Sequence, residues 1–158
     1  MFAEMTAAEI ELLNMLELLS PSGKREVREY IRYVLTKQYR REVMVAIFHN
    51  KLLVNLFHSL MYLVEREDID INQLQKRVRQ IKELYYAIFN QVHNRYLEVI
   101  EDLDSNEVVR EFGRISFENL DRAFQQGNLA VIRMEIVNFH QEYNKLGKKK
   151  DARQIVAV

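Results

Sequence analysis

Leu74, Val78, Ile81, Tyr85, Ile88 and Val92 follow one another at steps of four, three, four, three and four residues. Because 3.6 residues complete a helical turn, that spacing returns each of them to one side of an α-helix. Tyr96, Val99 and Leu103 extend the stripe, so one long central helix is predicted over about 72–103, roughly 45 Å at 1.5 Å per residue. An a/d-like stripe of this length makes a coiled-coil-style seam.

Other helices announce themselves by their ends. Thr6-Ala7-Ala8-Glu9 has the form of a capping box, in which the Thr hydroxyl takes the amide three residues on and the Glu reaches back. A first helix is predicted from Ala7 to Leu19, with Ile10, Leu13, Leu16 and Leu18 on a broad apolar face. Ser20-Pro21-Ser22-Gly23 stops it and starts a second, since serine caps and proline suits the first turn. That second helix carries Val27, Tyr30, Ile31, Val34 and Leu35 on one side and a basic face opposite.

From Val43 to Val64 the polar face is lost, as expected of a helix packed on several sides. The pattern leaves open whether the second and third helices join or break near Arg40–Glu42. Asp68–Asn72 supplies a turn. Asp104-Ser105-Asn106 ends the long helix and caps a fifth, through Phe112, Ile115, Leu120 and Phe124. Gly127 stands where a helix-ending glycine belongs. Asn128 then caps a sixth helix, with Leu129, Ile132, Ile136, Phe139, Tyr143 and Leu146 on its stripe and Gly147 closing it.

The predicted fold is therefore all-α, a single-domain bundle of five or six helices over residues 1–147, with a basic and apolar C-terminal tail over 148–158. Composition agrees. Of 158 residues 48% are hydrophobic, with one proline and four glycines to interrupt helices, and no Asn-Gly or Asp-Gly hairpin signal is present.

Charge and cysteine narrow the function classes. Lys+Arg and Asp+Glu both total 23, so the chain lacks the global positive field of a dedicated nucleic-acid binder. With no cysteine, disulfides, thiolate metal sites and a Cys nucleophile are excluded. The opening Met1-Phe2-Ala3-Glu4-Met5 is acidic where a signal peptide is basic. The greasiest stretch, Val43–Val64, is interrupted by His49, Asn50, Lys51, Asn55 and His58, which suits a core helix better than a bilayer span. A cytoplasmic protein without membrane association is expected.

Candidate chemistry is sparse. The histidines are His49, His58, His93 and His140. A helical metal site needs ligands three or four residues apart, as in Glu-x-x-His or His-Glu-x-x-His. Neither motif occurs, and no metal or cofactor is expected. Phosphate loops, dinucleotide glycine motifs and serine elbows are missing too. The acidic runs at Glu65–Asp70 and Glu98–Asp104 read as solvated helix ends, so no catalytic residue is assigned.

Three segments bear on partners. Lys24, Arg28, Arg32 and Arg40 recur at multiples of four, with Arg25 beside them, a stripe able to track phosphates; Glu26 and Glu29 partly neutralise it. The segment Ile47-Phe48-His49-Asn50-Lys51-Leu52-Leu53 resembles the dimerisation helix of two-component phosphotransferases. One class of these has its histidine four residues before Asn-Lys-Leu, where this chain has Ala46. Val108–Ser116 resembles the Gly-centred turn of bacterial helix-turn-helix repressors. Only Val108 and Phe112 fit that pattern, and a continuous helix with Gly113 at a close contact is the expectation.

The function expected is that of a non-enzymatic regulatory or scaffold protein acting through helix-face contacts with a protein partner, a second copy of itself included. Leu74, Val78, Ile81, Tyr85, Ile88 and Val92 are the expected interface, because their stripe is longer than neighbouring helices are expected to cover. A nucleic-acid regulator using Lys24, Arg25, Arg28, Arg32 and Arg40 is the alternative. A histidine phosphotransfer-like helical protein is a second alternative.

Overall fold

The predicted helix starts at Thr6, Ser20 and Asn128 each have their capping hydrogen bond in the computed structural model, which describes residues 4–100 and 107–156, with only the backbone for 107 and 149–156. Helix α1 spans Ala7–Leu18. Its capping box closes in both directions: Glu9 N–H donates to Thr6 Oγ1 at 3.2 Å, and Thr6 N–H to Glu9 Oε2 at 2.9 Å. Helix α2 spans Pro21–Phe48, and Gly23 N–H donates to Ser20 Oγ at 3.1 Å. Proline lacks the amide that a first-turn residue would leave orphaned, so its place costs nothing.

No break occurs at Arg40–Glu42. Instead α2 runs on to Phe48, and the chain turns at His49 and Asn50 before α3, Lys51–Glu65. Asn50 makes that turn possible, because its side chain accepts the Leu53 amide at 3.0 Å and satisfies the new helix start. The apolar run Val43–Val64 is thus two helices, and α3 keeps one buried face through Leu53, Phe57, Leu60 and Val64.

Helix α4, Ile71–Leu97, is capped by Asp70, which accepts the Asn72 amide at 2.9 Å. It ends earlier than the stripe suggests. The stripe continues in steps of four through Val92, Tyr96 and Ile100, all buried, while Val99 is 70% exposed. Ile100 N–H bonds the Tyr96 carbonyl in the closing turn. Leu103 and the expected Asp104–Asn106 cap lie outside the described residues.

Helix α5, Glu107–Gln126, passes through Gly113 without a turn. Its buried face is Val109, Gly113, Phe117, Leu120 and Ala123, whereas Ile115, expected inside, is 46% exposed. Gly127 follows at φ +71°, the left-handed C-terminal position glycine occupies without strain. Helix α6 spans Leu129–Val156, and Asn128 Oδ1 accepts the Ala130 and Val131 amides at 3.0 and 3.4 Å. Gly147 does not close it. A Cβ there would stand 3.6 Å from the Phe48 carbonyl oxygen, so this glycine sits where α6 passes close to the end of α2.

All six helices are α, and no strand occurs among the described residues. The chain falls into two compact units, Met1–Lys37 and Gln38–Val158, with α2 contributing residues to both. In the second unit α3 packs on α4, α5 on α6, α3 on α6 and α4 on α5. Aromatic rings fill its centre. Phe57 stacks on Tyr143 with centroids 4.2 Å apart and lies 4.8 Å from Phe139. Phe112 bridges Phe139, at 5.6 Å, to Phe48, at 5.7 Å. Burial holds the Tyr143 phenol above the usual tyrosine range, and its hydroxyl donates to the Ile47 carbonyl at 2.7 Å. Buried hydroxyls need such a partner. Among the described residues no single helix is long and apolar enough to cross a membrane.

Candidate interaction surface

The first unit has no core of its own. No residue of α1 is buried, and none of the described residues up to Lys37 is either. Yet α1 is rich in leucine. Leu12 is 55% exposed, Met15 58% and Leu18 89%. The first stretch of α2 adds Tyr30, Ile31, Tyr33 and Val34, all exposed. Eleven large exposed apolar residues fall among the described residues of this unit. Together they present on the order of 1,000 Å², which is what one partner contributes to a standard protein interface. Scattered exposed apolar residues are normal on any surface; a concentration of this size marks a contact site.

Helical geometry separates two kinds of face here. In α1 the apolar residues point every way: Leu12, Leu13 and Leu16 lie on one side, and Ile10, Met15 and Leu18 spread over the rest. A helix apolar all round is ordinarily covered on several sides. In α2 the apolar strip is narrower, formed by Val27, Tyr30, Ile31 and Val34, and Lys24, Arg28 and Arg32 border it. These three cations and Arg25 are exposed and make no ion pair among the described residues. Spaced four apart, they repel along the helix. Arg40, the last member of the expected phosphate-tracking stripe, belongs to the second unit and has interactions of its own.

The expected interface stripe lies elsewhere. Leu74, Val78, Ile81, Tyr85 and Val92 are buried and Ile88 is half-buried. Periodicity identified these as residues that want cover, and the chain's own α3 and α5 supply it. Exposed apolar residues are concentrated instead in α1 and the first stretch of α2.

One polar constellation, which no local motif announced, joins α2 to α4. Gln38 Nε2 donates to Tyr96 Oη at 2.9 Å; Tyr96 donates in turn to the Glu42 carboxylate, which Arg95 also pairs. Beside it Tyr39, fully buried, shares a hydrogen bond of 2.9 Å with His93 Nδ1, and His93 stacks on Phe89. Acid, base and phenols are already engaged with one another. The arrangement links the C-terminal half of α2 to α4 through matched, part-buried polar groups.

The other histidines are dispersed. His58 and His140 face each other with ring centroids 6.4 Å apart. Burial, and then the His58 charge, hold His140 below its ordinary value. His49 is exposed in the turn after α2. The Asn50 side chain of the Asn-Lys-Leu run is committed to capping α3. Among the described residues no three metal-ligating side chains converge.

The chain matches no protein-family model, no curated protein and no solved structure.

Proposed function

We propose that the chain is a non-enzymatic regulatory or scaffold protein, working through helix-face contacts, and that its contact surface is the unit Met1–Lys37. The observation that supports this reading is the absence of any buried residue among those described there, beside so much exposed leucine, methionine and tyrosine. Exposed apolar area costs free energy in water at about 25 cal/mol per Å². A partner that removes it recovers that cost, so binding is the use such a surface supports.

The polar groups fit the same reading. The densest network, around Tyr39, Glu42 and Tyr96, has its donors and acceptors matched inside the chain, which suits bracing rather than turnover. Affinity purification from the native cell, with the intact chain and a Leu12→Gln/Leu13→Gln/Tyr30→Ala variant in parallel, tests the proposal. Partners held by the intact chain and released by the variant are the expected result. Equal recovery with both would place the contact surface elsewhere.

A further inference from the structure

Resting on that reading of the first unit, we infer that the partner covering it is a second copy of this chain, paired so that α1 of each copy lies along the basic edge of α2 of the other. The charges of the unit are sorted by helix. Residues 4–19 carry four carboxylates and no base, and residues 24–37 carry five bases and two carboxylates. A surface with an acidic arm and a basic arm can complement itself under two-fold rotation, since each arm then meets its opposite on the other copy.

Packing requires the same arrangement. Helix α1 is apolar on opposite sides, and one neighbouring helix covers only one side. Two such units placed together give four helices, a bundle in which α1 has neighbours on more than one side. Lys24, Arg28 and Arg32 then flank the apolar strip as edge charges flank a coiled-coil seam, where they select the partner and its direction. Glu11 and Glu17 of the second copy relieve the repulsion among them. The exposed apolar area, on the order of 1,000 Å² per copy, meets the roughly 800 Å² per partner of a stable complex.

Other occupants fit less well. Twelve residues of α1 reach about 18 Å at the helical rise, short of the roughly 30 Å of a bilayer core, and its charge is negative where a membrane-surface helix is basic. Nucleic acid would use the α2 cations but would be repelled by α1 and leave the leucines wet.

A charge exchange in the full chain tests the pairing. One variant carries Glu4→Lys, Glu11→Lys and Glu17→Lys; the other carries Lys24→Glu, Arg28→Glu and Arg32→Glu. Sedimentation equilibrium should show the unaltered chain as a dimer. Each variant alone should self-associate at least about tenfold more weakly, since like charges then meet. An equimolar mixture should return to the dimer, which also shows that both variants remain folded. If the unaltered chain is monomeric at 100-fold above micromolar concentration, the second copy is not the partner. Variants that dimerise as the unaltered chain does, or a mixture that fails to recover, overturn the charge pairing while leaving the contact surface itself to the apolar variant above. A salt-sensitive mobility shift lost only in the α2 variant, with a monomeric chain, would assign the face to nucleic acid instead.

Discussion

The ring of Tyr85 occupies the space in which a side chain on residue 113 would begin. A Cβ built on Gly113 would stand 2.7 Å from Cε1 of Tyr85 and 3.2 Å from its Cζ, and the Tyr85 hydroxyl donates to the Val109 carbonyl one turn earlier on α5. A large, fully buried ring thus packs against α5 at the one position without a side chain to obstruct it. Elsewhere in a helix Gly→Ala stabilises by about 1 kcal/mol. Gly113→Ala should instead destabilise, by about 1–3 kcal/mol, in urea denaturation. Combined with Tyr85→Val the same substitution should no longer cost stability, because the obstruction has gone; additive effects would refute the contact.

The two later glycines should respond in opposite senses. Gly127 has φ +71° and open space around it, so alanine there meets only backbone strain and should cost about 1–2 kcal/mol. At Gly147 the φ is not positive and the nearest atoms stand at ordinary contact distance, 3.6 and 3.7 Å. Alanine should be neutral or stabilising there by up to about 1 kcal/mol. Thermal unfolding of the two single variants separates them.

Tyr96 is both donor to Glu42 and acceptor from Gln38. Tyr96→Phe should therefore cost about 1.5–3 kcal/mol, the range for a hydrogen bond to a charged group. In a double-mutant cycle with Glu42→Gln, a coupling of at least about 0.5 kcal/mol is expected. No coupling would mean that the two side chains act separately.

Acid should weaken the fold partly through His140. Burial first, and the neighbouring His58 charge second, depress its pKa below the ordinary 6.5, and Asn144 Nδ2 lies 3.2 Å from its Nε2. The unfolded chain then binds more protons than the folded one just below pH 6.5, so stability is full above that pH and falls as the pH drops through the folded value. Proton NMR should show His140 titrating below 6.5, and His58→Gln should move it upward without restoring the full ordinary value. A His140 midpoint at or above 6.5 would contradict the geometry.

Helix α1 should report its own covering. With no buried residue, its amides should exchange with deuterium quickly in dilute solution. Slower exchange over residues 7–18 as protein concentration rises is the expected result. Rates independent of concentration would count against self-association through this helix.

Helix ends were readable because a cap is a local object. Thr6 with Glu9, Ser20 with Pro21, and Asn128 after Gly127 each solve the problem of orphaned amides or carbonyls within four residues of sequence. The stripe from Leu74 to Val92 was readable for the same reason, as a period along one helix. What covers a stripe is a property of distant chain, and so those residues were expected at an interface although α3 and α5 already cover them. Gly147 has the look of a stop because glycine usually is one, whereas α6 runs through it beside Phe48 at ordinary contact distance. The Tyr96–Glu42 and Tyr39–His93 pairs are separated by 54 residues, too far for any spacing rule to find them. The apolar residues of α1 were legible as a face, and only coordinates could show that nothing buries them.

In the second unit consecutive helices are also packing neighbours: α3 with α4, α4 with α5, α5 with α6. The links are brief, so joining each pair demands little loop-closure entropy. Remote parts of the chain meet where α3 packs on α6 and where the end of α2 reaches α4, α5 and α6. Topologies of this kind reach their transition state in microseconds to milliseconds, and the hairpin α3–α4 can form on the ribosome before α5 and α6 emerge to close over it.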